Sequence, residues 1–82
     1  MARLENKLCV VTGAARGIGL AIVERFHAEG ATVILTDVDA LSGAQAADLI
    51  GCRFERLDVS DEGDWLRLAT LVPQADVVVN NA

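Results

Sequence analysis

The sequence predicts an α/β fold with a doubly wound parallel sheet, and three observations support this prediction. Short apolar runs alternate with segments of about a dozen residues that have helical periodicity, in the order β-α-β-α-β-α-β. The apolar runs are rich in β-branched residues, as in strands that are covered on both faces. The connections are long enough for helical crossovers, which parallel strands require. Because such crossovers are right-handed, we expect the strand order 3-2-1-4 and a ligand cleft between strands one and four.

The first strand and helix surround a glycine-rich turn. Residues 7–12 form an apolar run that ends at Gly13, which predicts strand one. The first helix is predicted to begin at Gly17 and to stop at Gly30, a residue type typical of helix C-termini. Its buried face is predicted to carry Ile18, Ala21, Ile22 and Phe26.

The second strand and helix follow directly. Residues 31–37 are apolar and β-branched, and residues 39–51 form a helix with Asp39 as its N-cap and Gly51 as its stop. Gly43 lowers the helix propensity of this segment by about 1 kcal/mol relative to alanine. The buried face is predicted to carry Leu41, Ala44 and Leu49.

The rest of the chain adds two strands and one helix. Residues 52–59 alternate in polarity, which indicates a half-covered strand at the sheet edge. The third helix begins after either Ser60 or Asp61 and is ended by Pro73. The fourth strand is Val77–Val79. The third helix is predicted to bury Trp65, Leu68, Ala69 and Val72.

Composition excludes several classes of function. The 82 residues carry a net charge of −5, which disfavours nucleic acid as a partner. No apolar run is long enough for a membrane span or a signal peptide. Cys9 and Cys52 are far apart and are expected to be reduced core thiols, and His27 is expected on the outer face of its helix. No residues have metal-ligand spacing, and a cytoplasmic location is expected.

The turn after strand one predicts an anion site. Gly13, Gly17 and Gly19 have the spacing GxxxGxG between a strand and a helix. The N–H groups of a helix N-terminus favour a pyrophosphate, and glycine lets the phosphate approach the backbone. This spacing differs from GxGxxG and lacks the GK[ST] of a P-loop. The alternative is that the glycines serve only the turn.

Two side chains bear on which dinucleotide would bind. Asp37 ends strand two, 18 residues after Gly19, near the offset of about 20 at which an acid meets the adenosine ribose. Its carboxylate would accept from the ribose hydroxyls and repel a 2′-phosphate, which predicts NAD, although Asp37 could instead cap a turn. The Arg16 guanidinium could pair with a 2′-phosphate and favours NADP. We weight Asp37 more heavily because of its position.

Four segments in order resemble the cofactor motifs of the short-chain dehydrogenase/reductase family. They are TGAARGIG at 12–19, Asp37, DV at 58–59 and NNA at 80–82. The similarity runs through all 82 residues and implies a Rossmann-type fold. These residues would then be the N-terminal part of one dinucleotide-binding domain, truncated after the fourth strand.

The resemblance also implies a role for each motif residue. Thr12 would support the glycine loop, and the backbone of Arg16, Gly17 and Ile18 would meet the pyrophosphate. Asp58 would contact the adenine amino group, with Val59 beside it. The last three residues would complete the site, with Asn80 tying the central strands together and Asn81 and Ala82 lying along the cofactor. Alternatively, Asp58 is only a strand-end cap, and Asn80 and Asn81 are an ordinary polar strand end.

The family's reaction transfers a hydride between a nicotinamide and an alcohol or carbonyl carbon, using a tyrosine and a lysine four residues later. This chain contains no tyrosine. We therefore assign no catalytic residue and expect the 82 residues to be inactive alone, as the cofactor-binding half of an NAD-dependent oxidoreductase. A non-catalytic dinucleotide-binding or structural fragment is the alternative. The resemblance implies a homo-oligomer for the complete protein.

Overall fold

The structure, a computed structural model, describes residues 4–82. It contains a four-stranded parallel sheet with helices on both faces. The strand order is β3-β2-β1-β4, which confirms the predicted fold class and topology. Val10 in the central strand β1 is in register with Ile34 of β2 and with Val78 of β4. The elements are β1 (Leu8–Val11), α1 (Gly17–Ala28), β2 (Thr32–Asp37), α2 (Ala40–Ile50), β3 (Arg53–Arg56), α3 (Glu62–Leu71) and β4 (Val77–Val79).

Two apolar layers cover the two faces of the sheet. Because side chains alternate along a strand, neighbouring residues of β1 enter different layers. Val11 packs with Val23 of α1 and Ala47 of α2 on one face. Val10 packs with Leu68 of α3 on the other face. The crossover helices α1 and α2 therefore share one face, and α3 covers the other.

Aspartate side chains determine where α2 and α3 begin. The Asp39 carboxylate accepts a hydrogen bond from the Ser42 N–H, which confirms Asp39 as the N-cap of α2. Gly51 ends α2 in the left-handed region, with φ 88°. Asp61 accepts from two N–H groups in the first turn of α3, at Gly63 and Asp64, so Asp61 and not Ser60 is the cap.

The predicted buried face of α2 is wrong. Leu41 and Leu49 are 70% and 89% exposed, and Ala44 is also exposed. The helix instead packs through Gly43 and Ala47, because small residues let it approach the sheet closely. A Cβ at position 43 would overlap the Phe54 ring and lie 2.8 Å from Cδ1. Counting large apolar side chains missed this contact because glycine has no side chain to count.

The predicted buried face of α1 is only partly correct. Ile22 and Phe26 pack partly buried against the core, but Ile18 is 75% exposed and Ala21 is also exposed. The fully buried positions are Gly19 and Val23. The helix is thus rotated so that its small residue faces the glycine loop. In α3, Leu68 and Val72 are buried and Trp65 is partly buried, as predicted, whereas Ala69 is exposed.

Strand β3 is shorter than predicted. It ends at Arg56, the register partner of Asp37, and β2 also ends there. A strand needs a paired neighbour to continue its ladder, so the segment up to residue 59 leaves the sheet.

Apolar side chains remain accessible on both sides of β4. On the α1 side, an open groove is lined by Ile18, Ile22 and Val79. On the α3 side, a second groove lies between Trp65 and Val78, which is 53% exposed. Since both grooves border the same strand, this edge of the sheet presents apolar surface on each face.

Candidate functional site

The candidate site lies at the carboxyl-terminal ends of the four parallel strands. The strands are parallel, so Asp37 at the end of β2 and the three residues that follow the other strands, Gly13, Asp58 and Asn80, lie at the same end of the sheet. This end of the sheet includes the crevice between β1 and β4, where ligands bind in open α/β sheets. The structure thus brings all the predicted site segments to the same end of the sheet.

Three glycines lie between the end of β1 and the first turn of α1, where Gly13 precedes the helix and Gly17 and Gly19 belong to it. Gly13 and Gly17 have φ of 58° and 64°, a region that disfavours other residues. A Cβ on Gly19 would overlap the Gly13 carbonyl oxygen and lie 2.6 Å from Nδ2 of Asn81. A Cβ on Gly17 would meet nothing within 4 Å. Gly19 therefore allows the loop to pack on the helix, while Gly17 leaves open space at the N-terminus of the helix.

The N-terminus of α1 differs from those of α2 and α3 because no side chain caps it. Arg16 occupies the N-cap position with extended backbone and makes no side-chain cap hydrogen bond, and the first turn holds no acidic residue. Asp39 and Asp61 cap the other two helices. An anion at the first turn of α1 would supply the missing acceptor and meet the positive end of the helix dipole. The open, uncapped cradle therefore fits a pyrophosphate.

The Thr12 hydroxyl joins the end of β1 to the segment after β4. Thr12 is fully buried, and its Oγ1 lies 3.2 Å from Oδ1 of Asn80 and 3.3 Å from the Val79 carbonyl oxygen. It accepts hydrogen bonds from the N–H groups of Asn81 at 3.0 Å and Ala82 at 3.3 Å. The Asn81 side-chain amide donates to the Gly13 carbonyl at 3.1 Å. These contacts hold the last residues against the glycine loop.

Asp37 connects β2 to the glycine loop. Its Oδ2 accepts from the Ala15 N–H at 3.0 Å, and its Oδ1 accepts from the Asp39 N–H at 2.9 Å. An ionised carboxylate offers about four acceptor sites, so two remain for further donors. The side chain is half-buried and lies at the carboxyl end of its strand. The structure thus shows the turn contact of Asp37, and it leaves acceptor capacity on the same group.

Arg16 is paired with a residue of the neighbouring helix. Its Nη2 donates to Oδ2 of Asp39 at 2.7 Å and lies 3.3 Å from the Ser42 hydroxyl oxygen. The Arg16 side chain is 70% exposed and that of Asp39 is 40% exposed. The Ser42 N–H, with the Ser42 hydroxyl and the Arg16 charge, holds the pKa of Asp39 below its usual value. The guanidinium therefore lies against a fixed carboxylate next to the Asp37 turn.

Asp58 closes a turn after β3. Its Oδ1 accepts from the Ser60 hydroxyl at 2.6 Å and from the Ser60 N–H at 3.0 Å, and these two hydrogen bonds keep the pKa of Asp58 below its usual value. The carbonyl of Val59 accepts from the Trp65 indole at 2.8 Å. Asp58 thus makes the cap contact that we considered as an alternative, and its half-exposed carboxylate retains further acceptor sites.

The sequence did not predict two side-chain contacts at this end of the sheet, that of Asp39 with Arg16 and that of Asp64 with the Asp58 turn. It identified Asp39 only as a helix cap and assigned no role to Asp64. Asp64 Oδ2 accepts from the Asp58 N–H at 2.9 Å and from Arg56 at 3.2 Å, and so fixes the turn. The spacing DVDxxS at 37–42 indicates the local hydrogen bonds of Asp37 and Asp39, but it does not indicate the contact of Asp39 with Arg16.

The two cysteines and His27 are not among the candidate site residues. Cys9 is buried and Cys52 half-buried, both are free thiols, and burial raises the pKa of each. His27 is exposed, as predicted. Within residues 4–82, no three His, Cys, Asp or Glu side chains cluster as metal ligands. Over that same range, every helix is too short or too polar to cross a membrane.

A parallel sheet of this order, with a glycine loop leading into an uncapped helix and an acid ending β2, is typical of the α/β domains of the Rossmann type that bind dinucleotides. Residues 13–82 match a family model described as enoyl-(acyl carrier protein) reductase, one of the short-chain dehydrogenase models. The chain belongs to the short-chain dehydrogenase/reductase family. This confirms the resemblance inferred from the motifs.

Relatives and solved structures agree with this assignment. The chain is 43% identical to an NADP-dependent (R)-specific alcohol dehydrogenase of Lentilactobacillus kefiri, over 98% of the chain and 35% of the relative. It is 41% identical to a 3-beta-hydroxysteroid dehydrogenase of Comamonas testosteroni, over 98% of the chain and 34% of the relative. The Pseudomonas aeruginosa RhlG/NADP active-site complex superposes with a TM-score of 0.91 at 31% identity, over 99% of the chain and 36% of that structure. The chain spans about a third of the length of these proteins.

Proposed function

We propose that this chain is the N-terminal, cofactor-binding part of an NAD-dependent oxidoreductase that transfers a hydride between the nicotinamide and an alcohol or carbonyl substrate. Family membership supports the reaction class, since the relatives above are named as dehydrogenases. The uncapped α1 N-terminus above the open space at Gly17 is the observation that supports dinucleotide binding most directly.

Each motif residue has a proposed task in holding the dinucleotide. The N–H groups of Arg16, Gly17 and Ile18 would donate to the pyrophosphate, because the first turn of a helix has no intrahelical acceptor for them. Asp58 and Val59 would lie beside the adenine. Asn81 and Ala82 would lie along the rest of the cofactor, held there by the Thr12 hydroxyl. When bound, the dinucleotide would supply the hydride acceptor or donor.

Asp37 supports NAD over NADP. Its free acceptor sites suit the two hydroxyls of the adenosine ribose, whereas its negative charge would repel a 2′-phosphate. The names of the Lentilactobacillus relative and the Pseudomonas complex point instead to NADP for those proteins. We base the choice of NAD on the carboxylate of this chain, and a titration can test it directly.

The proposed reaction needs an acid/base group that these 82 residues lack. The family resemblance implies a tyrosine and a lysine, and the chain contains no tyrosine. We therefore propose that the catalytic pair belongs to further residues of a longer protein and that the 82 residues alone are inactive. The missing tyrosine also favours the second candidate, a non-catalytic dinucleotide-binding fragment.

The exposed grooves beside β4 support the proposal of a partial domain. Apolar side chains there, such as Ile18 and Val78, would be covered if the sheet continued past β4. The relatives are about three times as long as this chain. We further propose that the complete protein is a homo-oligomer and is cytoplasmic, in keeping with its two free thiols.

The binding proposal is tested by titrating the chain with NAD and with NADP while amide chemical shifts are recorded by NMR. We expect NAD to bind weakly but saturably and NADP to bind more weakly. In Asp37→Asn, the ratio of the NADP dissociation constant to the NAD dissociation constant should fall about tenfold. Asp48→Asn is the matched control, because it removes the same charge from the exposed face of α2. Tighter binding of NADP than NAD by the unmodified chain would contradict the assignment of NAD.

The coding sequence downstream of codon 82 separates the enzyme from the binding fragment. The enzyme proposal predicts an open reading frame that contains a Tyr-x-x-x-Lys motif. A stop codon directly after Ala82 would contradict it and leave the binding fragment as the function.

A further inference from the structure

The Arg16–Asp39 ion pair lies next to Asp37, the residue proposed to bind the adenosine ribose. Asp39 N–H donates to the Asp37 carboxylate at 2.9 Å, so the two acids flank one turn. Arg16, the only positively charged side chain of the glycine loop, donates to Asp39 at 2.7 Å. The ribose recognised by Asp37 would therefore have both Arg16 and Asp39 as neighbours.

We propose that Asp39 is a second specificity-determining residue, which discriminates against a 2′-phosphate by holding and neutralising the Arg16 guanidinium. This inference rests on the proposed function, since it concerns the same dinucleotide site. Without Asp39, Arg16 would be a free cation beside the ribose and could pair with the phosphate. With Asp39, the 2′-phosphate meets a neutral pair together with the negative charge of Asp37.

The position of Asp39 is fixed independently of Arg16. Its Oδ1 accepts from the Ser42 N–H at 3.0 Å as the N-cap of α2, which leaves Oδ2 directed at the guanidinium. Ser42 also places its hydroxyl 3.3 Å from Nη2 of Arg16. An exposed ion pair contributes little to stability, about 0 to 1 kcal/mol. Asp39 is therefore suited to setting the local charge and the direction of Arg16.

The substitution Asp39→Asn isolates this effect. Asparagine caps a helix about as well as aspartate, so α2 keeps its N-cap while the charge is removed. Asp48→Asn is the matched control, with the same change of charge at an exposed position of the same helix. The amide spectrum of each variant shows that the fold is retained.

A double-mutant cycle tests the proposal through equilibrium binding of NAD and NADP to the 82-residue chain. We expect Asp39→Asn to tighten NADP binding about fivefold relative to NAD binding. Arg16→Gln should abolish that gain in the Asp39→Asn background, and Arg16→Gln alone completes the cycle. Asp48→Asn should leave the ratio of the two dissociation constants unchanged.

Two results would overturn the proposal while leaving the proposed function intact. One is an unchanged ratio in Asp39→Asn when the unmodified chain binds NAD. The other is a gain in NADP binding that survives Arg16→Gln, since the gain would then not involve the guanidinium. If the unmodified chain bound neither nucleotide at millimolar concentration, the proposed function and this inference would both be overturned.

Discussion

Thr12 and Asn81 are joined by a hydrogen bond across 69 residues of sequence, from the Asn81 N–H to the Thr12 hydroxyl oxygen at 3.0 Å. The same hydroxyl lies 3.2 Å from the Asn80 side chain. This contact fixes the end of β1 to the segment after β4. The glycine loop and the last residues are therefore one structural unit, on which the proposed cofactor site depends.

Removing the Thr12 hydroxyl should destabilise this unit. Thr12→Val keeps the shape of the side chain but leaves the N–H groups of Asn81 and Ala82 without their acceptor. We expect a loss of about 1 to 3 kcal/mol in the free energy of unfolding, measured by denaturant titration. Faster amide exchange at Asn81 should accompany it. Thr12→Ser keeps the hydroxyl and is the control; equal loss in both variants would contradict the role of the hydroxyl.

Gly19→Ala should disturb the glycine loop. The new Cβ would overlap the Gly13 carbonyl and press on the Asn81 amide, and backbone cannot move aside cheaply. We expect a loss of about 1 to 3 kcal/mol in stability and weaker NAD binding. Gly63→Ala is the control, since its nearest neighbour is Oδ1 of Asp61 at 3.2 Å and alanine favours a helix. A Gly19→Ala protein as stable as Gly63→Ala would show that the loop is not tightly packed.

Gly43→Ala tests the close approach of α2 to the sheet. Alanine should gain about 1 kcal/mol of helix propensity, but its Cβ would overlap the half-buried Phe54 ring. We expect net destabilisation by about 1 to 2 kcal/mol, seen as a lower midpoint of urea unfolding. Adding Phe54→Leu should cost less in this variant than in the unmodified chain. Strict additivity of the two changes would argue against direct contact.

Ser60→Ala should raise the pKa of Asp58. The Ser60 hydroxyl and N–H both donate to the Asp58 carboxylate and lower its pKa below the ordinary value of 3.8. These hydrogen bonds stabilise the folded state at pH values above the ordinary pKa. Their contribution is lost as the pH falls through the lower pKa of the folded state. NMR titration of the carboxyl carbon measures the change, and Ser60→Thr should restore the low pKa. An unchanged pKa in Ser60→Ala would contradict the assignment.

The two cysteines should react slowly with thiol reagents in the folded chain. Burial raises the pKa of Cys9 and of Cys52, and the thiolate is the reactive form. Cys9 is fully buried, so we expect it to react more slowly than the half-buried Cys52. Mass spectrometry after timed alkylation measures both rates. Faster labelling of Cys9 than of Cys52 would be inconsistent with its place in the core.

The sequence predicted the fold well because its information is local and periodic. The apolar or alternating runs, with glycine and proline stops, identified every strand and helix, and the doubly wound pattern with right-handed crossovers gave the strand order. The buried helix faces were harder, because α2 packs through Gly43 rather than through Leu41 or Leu49. A rule that counts large apolar side chains cannot detect packing that depends on a missing side chain.

The sequence indicates where the candidate site residues lie along the chain, but it indicates their side-chain contacts less completely. The glycine loop and Asp37 follow from spacing along the chain, so the sequence located them. The contact between Arg16 and Asp39 joins two elements 23 residues apart, and nothing in the local pattern indicates it. The uncapped start of α1 likewise became clear only beside the caps of the other two helices.

Amide shift mapping with NAD tests the central claim most directly. If the glycine loop and the strand ends hold the dinucleotide, saturable shifts should be confined to residues 13–19, Asp37, residues 58–59 and residues 80–82. Amides at the amino-terminal ends of the strands, such as those of Thr32 and Arg53, should not shift. Shifts centred away from the strand carboxyl ends, or no saturable shift at millimolar NAD, would contradict the account.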